Sequence, residues 1–126
     1  MPSEIYQEWI LELYKNPINF GKIAGADLTA TSFNPLCGDK IEIFIKLEDG
    51  KIKETKFTGA GCAISQASAC LLTEEIKGKT LEEISKMKKE DVLSLIKVDL
   101  SKNPSRLKCA LLSLETLKKA IGKQKE

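Results

Sequence analysis

Residues 40 to 48 alternate between apolar side chains and mostly charged ones, which is the period-two pattern of a half-buried strand. Asp49 and Gly50 follow and favour a type I′ hairpin turn. Residues 51 to 58 then alternate again, and the earlier run from 26 to 33 is rich in β-branched side chains. The pattern therefore predicts a three-stranded antiparallel meander with one buried face.

Apolar positions recur three and four residues apart in the segments before and after the strands, which predicts helices there. Thr80 and Glu83 form a capping-box pattern, and Asn103-Pro104 is a typical helix start. The predicted helices cover residues 3–15, 63–76, a short segment after Thr80, residues 89–96, and a last helix ending near Ile121 at Gly122. This order predicts an α+β fold, with helices packed on one face of the three-stranded antiparallel sheet, as a single domain over residues 1–126.

The composition indicates a cytoplasmic globular protein with reduced thiols. Twenty basic residues against 18 acidic ones leave a net charge of +2, which is too small a surplus for nucleic-acid binding. No apolar stretch is long enough for a membrane span and the first residues lack a secretory pattern, so we expect a cytoplasmic protein with no membrane partner. Four cysteines in that compartment favour metal or thiol chemistry, and the chain has no histidine to share the ligand set.

Three of the four cysteines stand where a backbone turns or a helix begins. Cys37 lies in a loop between strands, Cys62 follows a glycine-flanked bend, and Cys109 lies near the start of the last helix. Asp39 is two residues from Cys37 and is the nearest candidate carboxylate ligand. Cys70 is different, because it lies mid-helix about 12 Å along the axis from Cys62 and is predicted to pack in the core.

The position of Cys109 on its helix indicates a reactive thiol. At about 100° per residue, Cys109 projects roughly 130° from the middle of the apolar stripe, so we expect it to face away from the core. Arg106 and Lys108 are its neighbours, and the helix N-terminus adds a positive dipole end; both favour the thiolate. The stripe consists of Leu107, Ala110, Leu111, Leu114, Leu117 and Ile121.

Three thiolates and a carboxylate in one place need a cation to neutralise their charge. Zinc accepts such a tetrahedral set, and iron–sulfur clusters are held by cysteine thiolates. A carboxylate is a harder donor than a fourth sulfur, so the site should exchange its contents readily. The spacings of 25 residues from Cys37 to Cys62 and 47 from Cys62 to Cys109 match no zinc-finger pattern, so the cargo stays open at this point.

The motifs around these residues resemble those of the IscU/SufU/NifU-type iron–sulfur cluster assembly scaffolds. They follow the family's order over about residues 5 to 121, and the glycine–cysteine stretch together with the Cys-Gly-Asp loop is highly specific. The matching segments are Tyr14-Lys15-Asn16-Pro17, Asn34-Pro35-Leu36-Cys37-Gly38-Asp39, Gly59-Ala60-Gly61-Cys62-Ala63-Ile64-Ser65-Gln66-Ala67-Ser68 and Arg106-Leu107-Lys108-Cys109.

The resemblance implies that Cys37, Cys62 and Cys109 hold a [2Fe–2S] cluster or a zinc ion, with Asp39 as the fourth donor. It implies an IscU-like α+β fold and a non-enzymatic scaffold that receives sulfur from a cysteine desulfurase on Cys37 or Cys109. An electron donor such as a ferredoxin and apo iron–sulfur acceptor proteins would be further partners. A homodimer is a further possibility that the sequence leaves open.

Two departures from the IscU pattern leave alternatives open. Lys108 occupies the place of a histidine, and residues 103 to 106 replace a chaperone-binding segment. Lysine and arginine here resemble the SufU branch, a zinc-bound sulfurtransferase, although its insertion before the last helix is missing. We expect Arg106 and Lys108 to balance the negative charge of the site, or to pair with Asp39 when the site is empty. The alternatives to the scaffold are the zinc-dependent sulfurtransferase and a closed structural zinc domain.

Overall fold

A computed structural model describes residues 2–35, 38–97 and 104–125, and the side chains of residues 8–35, 38–97 and 104–122. Its elements are α1 (Pro2–Lys15), β1 (Leu28–Asn34), β2 (Asp39–Glu48), β3 (Lys51–Ala60), α2 (Ala63–Glu75), α3 (Leu81–Ser85), α4 (Lys89–Ile96) and α5 (Pro104–Lys125). The predicted cap Asn103 lies outside the described residues. Within them, no helix has both the length and the apolar composition to cross a membrane.

The predicted antiparallel meander is confirmed, with the strands in the order β1-β2-β3. Asp49 and Gly50 both have positive φ values, 54° and 77°, as a type I′ turn requires. The β2–β3 register shifts between Lys46 and Leu47. Because paired residues point to the same face, one face of the sheet carries the largest buried side chains, among them Ile41, Ile43, Ile45 and Phe57.

Helices α2 and α5 lie on this face of the sheet, and α2 also contacts α1 and α4. Cys70 of α2 is fully buried in the main hydrophobic cluster, which confirms the prediction that it packs in the core. Its neighbours in that cluster include Leu72, Leu112 and Leu117. The sheet and the two helices thus form the layer on which the candidate site is built.

The end predicted for the last helix is wrong, because α5 continues through Gly122 to Lys125. Glycine inside a helix costs only about 1 kcal/mol relative to alanine, so it does not by itself end one. Ala120 and Ile121 are buried against the core immediately before it. Their packing keeps the preceding turn helical, and the glycine signal alone was too weak to mark the boundary.

The predicted orientation of Cys109 is also wrong: its side chain is fully buried, whereas Leu107 and Leu111 of the predicted stripe are partly exposed. The buried face of α5 includes two polar residues, Ser113 and Thr116, which lie on the same side of the helix as Cys109 at about 100° per residue. Both hydroxyls are hydrogen-bonded in the interior. The predicted stripe was drawn from apolar residues alone, so it left out Ser113 and Thr116. Its centre was therefore placed away from the true buried face of α5.

Candidate metal centre

Asp39, Cys62 and Cys109 come together at one end of the sheet. One carboxylate oxygen of Asp39 and the two Sγ atoms all lie within 4.8 Å of one another. Asp39 is the first residue of β2, Cys62 is the N-cap of α2, and Cys109 lies in the second turn of α5. Three elements that are far apart in the chain thus each bring one donor to a single point, which is the arrangement a metal ion or cluster needs.

The carboxylate of Asp39 is fully buried and is fixed by the backbone of Cys62. Its Oδ1 accepts a hydrogen bond from the Cys62 backbone N–H at 2.8 Å. Its Oδ2 lies 3.7 Å from Cys62 Sγ, within hydrogen-bonding distance for a thiol. One oxygen therefore holds the start of α2 in place, and the other faces the sulfur. The helix N-terminus beside it stabilises the negative charge.

Gly61 lets Asp39 come this close to Cys62. Its φ of +137° is a conformation that favours glycine, and a Cβ at this position would collide with Oδ1, Cγ and Cα of Asp39. A Cβ at Gly59 would also collide, in this case with the carbonyl oxygen of Lys40. The glycines before Cys62 thus allow the end of β3 to pass directly against the start of β2.

Cys37 lies outside the described residues, so its place in the ligand set stays a prediction. The chain on either side is described: Asn34 pairs with Asp39 across the β1–β2 ladder. Gly38 has a φ of +71°, and its N–H donates to the Asn34 carbonyl at 2.8 Å. The loop that carries Cys37 therefore starts and ends beside the buried carboxylate.

Arg106 and Lys108 are exposed on α5. Lys108 borders a surface cavity of about 390 Å³ together with Asn34 and Pro35, the residues that lead into the Cys37 loop. Asn34 and Arg106 both take part in contacts. Their part in balancing the charge of the site stays a prediction, which the position of Lys108 beside the loop motivates.

Cys70 does not join the group of donors. Burial raises the pKa of its thiol from 9.0 to about 11, and its Sγ lies 3.8 Å from the Leu13 carbonyl oxygen. Because the neutral thiol is the form that the core favours, Cys70 behaves as a small apolar side chain.

This shift predicts a loss of stability at alkaline pH. The folded protein holds the Cys70 proton more tightly than the unfolded chain, so the stabilisation is complete below pH 9 and is lost as pH rises towards 11. We expect the wild type to lose about 2 kcal/mol more than Cys70→Ala between about pH 8 and pH 10.5. Urea unfolding at both pH values measures this difference; parallel losses in the two proteins would contradict it.

Sequence reasoning missed two buried hydroxyls close to the donors, Ser68 of α2 and Ser113 of α5. Their side chains are 1% and 0% exposed. They lie 3.0 Å apart across the two helices. The sequence offered two signals for Ser68: it stands among small residues, Ala67-Ser68-Ala69, and it is the last residue of the glycine–cysteine segment that matches the family.

The chain matches the NifU-like N terminal domain over residues 5–126. It is 36% identical to the zinc-dependent sulfurtransferase SufU of Bacillus subtilis, over 95% of this chain and 91% of that one. It is 38% identical to the iron–sulfur cluster assembly scaffold protein IscU of Thermotoga maritima, over 94% of each chain.

Among solved structures, the chain resembles a protein of Fervidobacterium islandicum that is described as an iron–sulfur cluster assembly scaffold for the SUF system. The TM-score is 0.78 and the identity 32%, over 90% of this chain and 94% of that one. The fold predicted from the motifs is therefore confirmed. With its three-stranded sheet, its converging thiols and these relatives, the chain belongs to the NifU-like N-terminal domain family of iron–sulfur scaffold proteins.

Proposed function

We propose that this protein is a scaffold on which iron and desulfurase-derived sulfur are assembled into a labile [2Fe–2S] cluster that passes to apoproteins. The observation that carries the proposal is the meeting of Asp39, Cys62 and Cys109 within 4.8 Å. Cys37 completes the ligand set as a prediction from sequence. Sulfur arrives from a cysteine desulfurase on Cys37 or Cys109, and an electron donor such as a ferredoxin supplies reducing equivalents.

The donor set favours a cargo that is released. Two or three thiolates bind soft metals strongly, whereas the single carboxylate is a hard donor that matches them less well. Asp39 is also engaged, because Oδ1 is held by the Cys62 N–H and Oδ2 is the oxygen turned to the sulfur. The protein then acts as a carrier whose thiols return unchanged, and we infer that it is not an enzyme.

The zinc-dependent sulfurtransferase is the second candidate. The relative in Bacillus subtilis carries that name, and thiolates with one carboxylate also suit tetrahedral zinc. Alignment length does not separate these two relatives: both alignments, of 135 and 138 positions, are longer than this 126-residue chain. Both of these relatives therefore carry residues that this chain lacks.

Anaerobic reconstitution with iron and sulfide separates these functions, combined with zinc analysis of the purified protein. The scaffold requires stoichiometric iron and sulfide, a visible absorption spectrum of a [2Fe–2S] cluster, and transfer to an apo-ferredoxin. Tightly held zinc that iron does not replace, with persulfide accepted on a cysteine, would establish the sulfurtransferase instead. Thiols that stay unreactive to alkylation until zinc is chelated, and that accept no persulfide, would indicate a structural zinc domain.

Asp39→Asn should slow the loss of the cluster several-fold. The amide oxygen can still accept the Cys62 N–H, whereas the hard anionic donor is gone. Asp39→Ala should slow the loss as well but leaves that partly buried N–H without its acceptor. The decay of the visible absorption in the presence of an iron chelator measures the lifetime. A lifetime equal to or shorter than that of the wild type in both variants would argue against Asp39 as the exchangeable donor.

A further inference from the structure

The two helices that carry Cys62 and Cys109 are joined by a buried hydrogen-bonded pair of serines. Ser68 Oγ donates to the carbonyl oxygen of Ala110 at 2.5 Å. Ser68 Oγ also lies 3.0 Å from Ser113 Oγ. Ala110 directly follows Cys109, and Ser68 lies six residues after Cys62 in the same helix. These bonds therefore link the two donor-bearing helices at the residue that follows Cys109.

The count of hydrogens gives this pair a direction. A serine hydroxyl has one hydrogen to donate and lone pairs to accept with. Ser68 gives its hydrogen to Ala110, because a carbonyl cannot donate, so Ser113 must be the donor in the contact between the two serines. Ser68 is then the centre of the link, and Ser113 only supports it. Removing Ser68 breaks both bonds, whereas removing Ser113 leaves the bond to Ala110.

The surroundings indicate why a polar link is useful here. Ala110 and Ile96 form a small buried cluster, against which Ile64, Leu71, Leu93 and Leu107 pack. Apolar contacts of this kind attract without direction, so they allow a helix to slide or turn by a fraction of a residue. A fully satisfied buried hydrogen bond fixes one arrangement. The bond from Ser68 to Ala110 therefore fixes both the rotation of the α5 turn that carries Cys109 and its position along the helix axis.

We infer that Ser68 is a positioning residue for Cys109: through the Ala110 carbonyl it holds that thiol against the site formed by Cys62 and Asp39. The metal-binding consequence of this role rests on the proposed function. The positioning itself does not, because it concerns the metal-free protein. The burial of Cys109 provides the readout, since a buried thiol reacts with an alkylating reagent only when its surroundings open locally.

The test follows the alkylation of each cysteine in the metal-free protein by peptide mass spectrometry. Ser68→Ala should raise the alkylation rate at Cys109 about tenfold, because two hydrogen bonds are lost. Ser113→Ala should raise it two- to threefold, because only one hydrogen bond is lost. Cys70, buried in α2 beside Ser68, is the internal control and should keep its wild-type rate. The matched control variant is Thr116→Val, which removes a buried α5 hydroxyl that bonds only within its own helix, to the Leu112 carbonyl.

Equal acceleration at Cys109 and Cys70 would reduce Ser68 to a general stabilising residue and overturn the inference. So would a Cys109 rate in Ser68→Ala that is no faster than in Thr116→Val. If Ser68→Ala does not fold, Ser113→Ala decides by the same comparison of rates. A cobalt titration adds a spectroscopic signature: Ser68→Ala should still bind cobalt, with a shifted thiolate band, and an unchanged band would also count against positioning. Failure of the wild type to take up iron or zinc would affect the proposed function alone.

Discussion

Gly61→Ala should lower the metal affinity of the protein by about 10- to 100-fold, the size seen when the support of a ligand is removed. The added Cβ would collide with the carboxylate of Asp39 and with its Cα. A change of rotamer cannot relieve the collision, because part of it involves the backbone. We also expect a loss of at least about 2 kcal/mol in the free energy of unfolding, since alanine is strained at a φ of +137°.

Gly78→Ala is the matched control for this variant. Gly78 also has a positive φ, +84°, but a Cβ there has no heavy atom within 4 Å. It therefore carries backbone strain without a collision and lies away from the three donors. Zinc affinity by chelator competition and unfolding by urea are measured for both variants. Equal zinc affinities in Gly61→Ala and Gly78→Ala would show that Gly61 does not position the site.

Cys62→Ala and Cys109→Ala should each lower zinc affinity by at least about 100-fold, whereas Cys70→Ala should stay within about threefold of the wild type. A structural zinc site of four ligands is worth about 10–16 kcal/mol, so one thiolate accounts for several kcal/mol. Cys70 is as fully buried as Cys109 but lies in the core outside the group of donors. It is therefore the matched control for removing a buried sulfur.

Chelator competition gives the zinc affinities, and the thiolate bands of the cobalt-substituted protein report the number of sulfur ligands. Cys37→Ala belongs in the same series, because the motif predicts a third thiolate there. Near wild-type affinity in Cys109→Ala would remove that residue from the ligand set. A large loss of affinity in Cys70→Ala would overturn its assignment to the core.

The cysteines show which structural features can be predicted from residues that are neighbours in the sequence. Cys62 was predicted to open a helix and does so as the N-cap of α2, because the glycines before it and the small residues after it act within a few positions. The strand pattern from 40 to 48 and the turn at Asp49 and Gly50 were likewise predicted correctly. These features depend on backbone preferences and on which face of a strand is apolar, and both can be read from neighbouring residues.

The order of the elements, the hairpin and the motifs that place this chain in its family could all be predicted from the sequence. The sequence also predicted four ligands, of which the structure brings Asp39, Cys62 and Cys109 together. Three features follow only from the packing of the folded chain: Cys109 faces inward, Asp39 accepts the Cys62 N–H, and Ser68 links α2 to α5. The physical reason is that the buried face of a helix depends on what packs around it. Buried serines and a threonine that are hydrogen-bonded in the interior belong to the core of the folded protein, although such polar residues are typical of the surface.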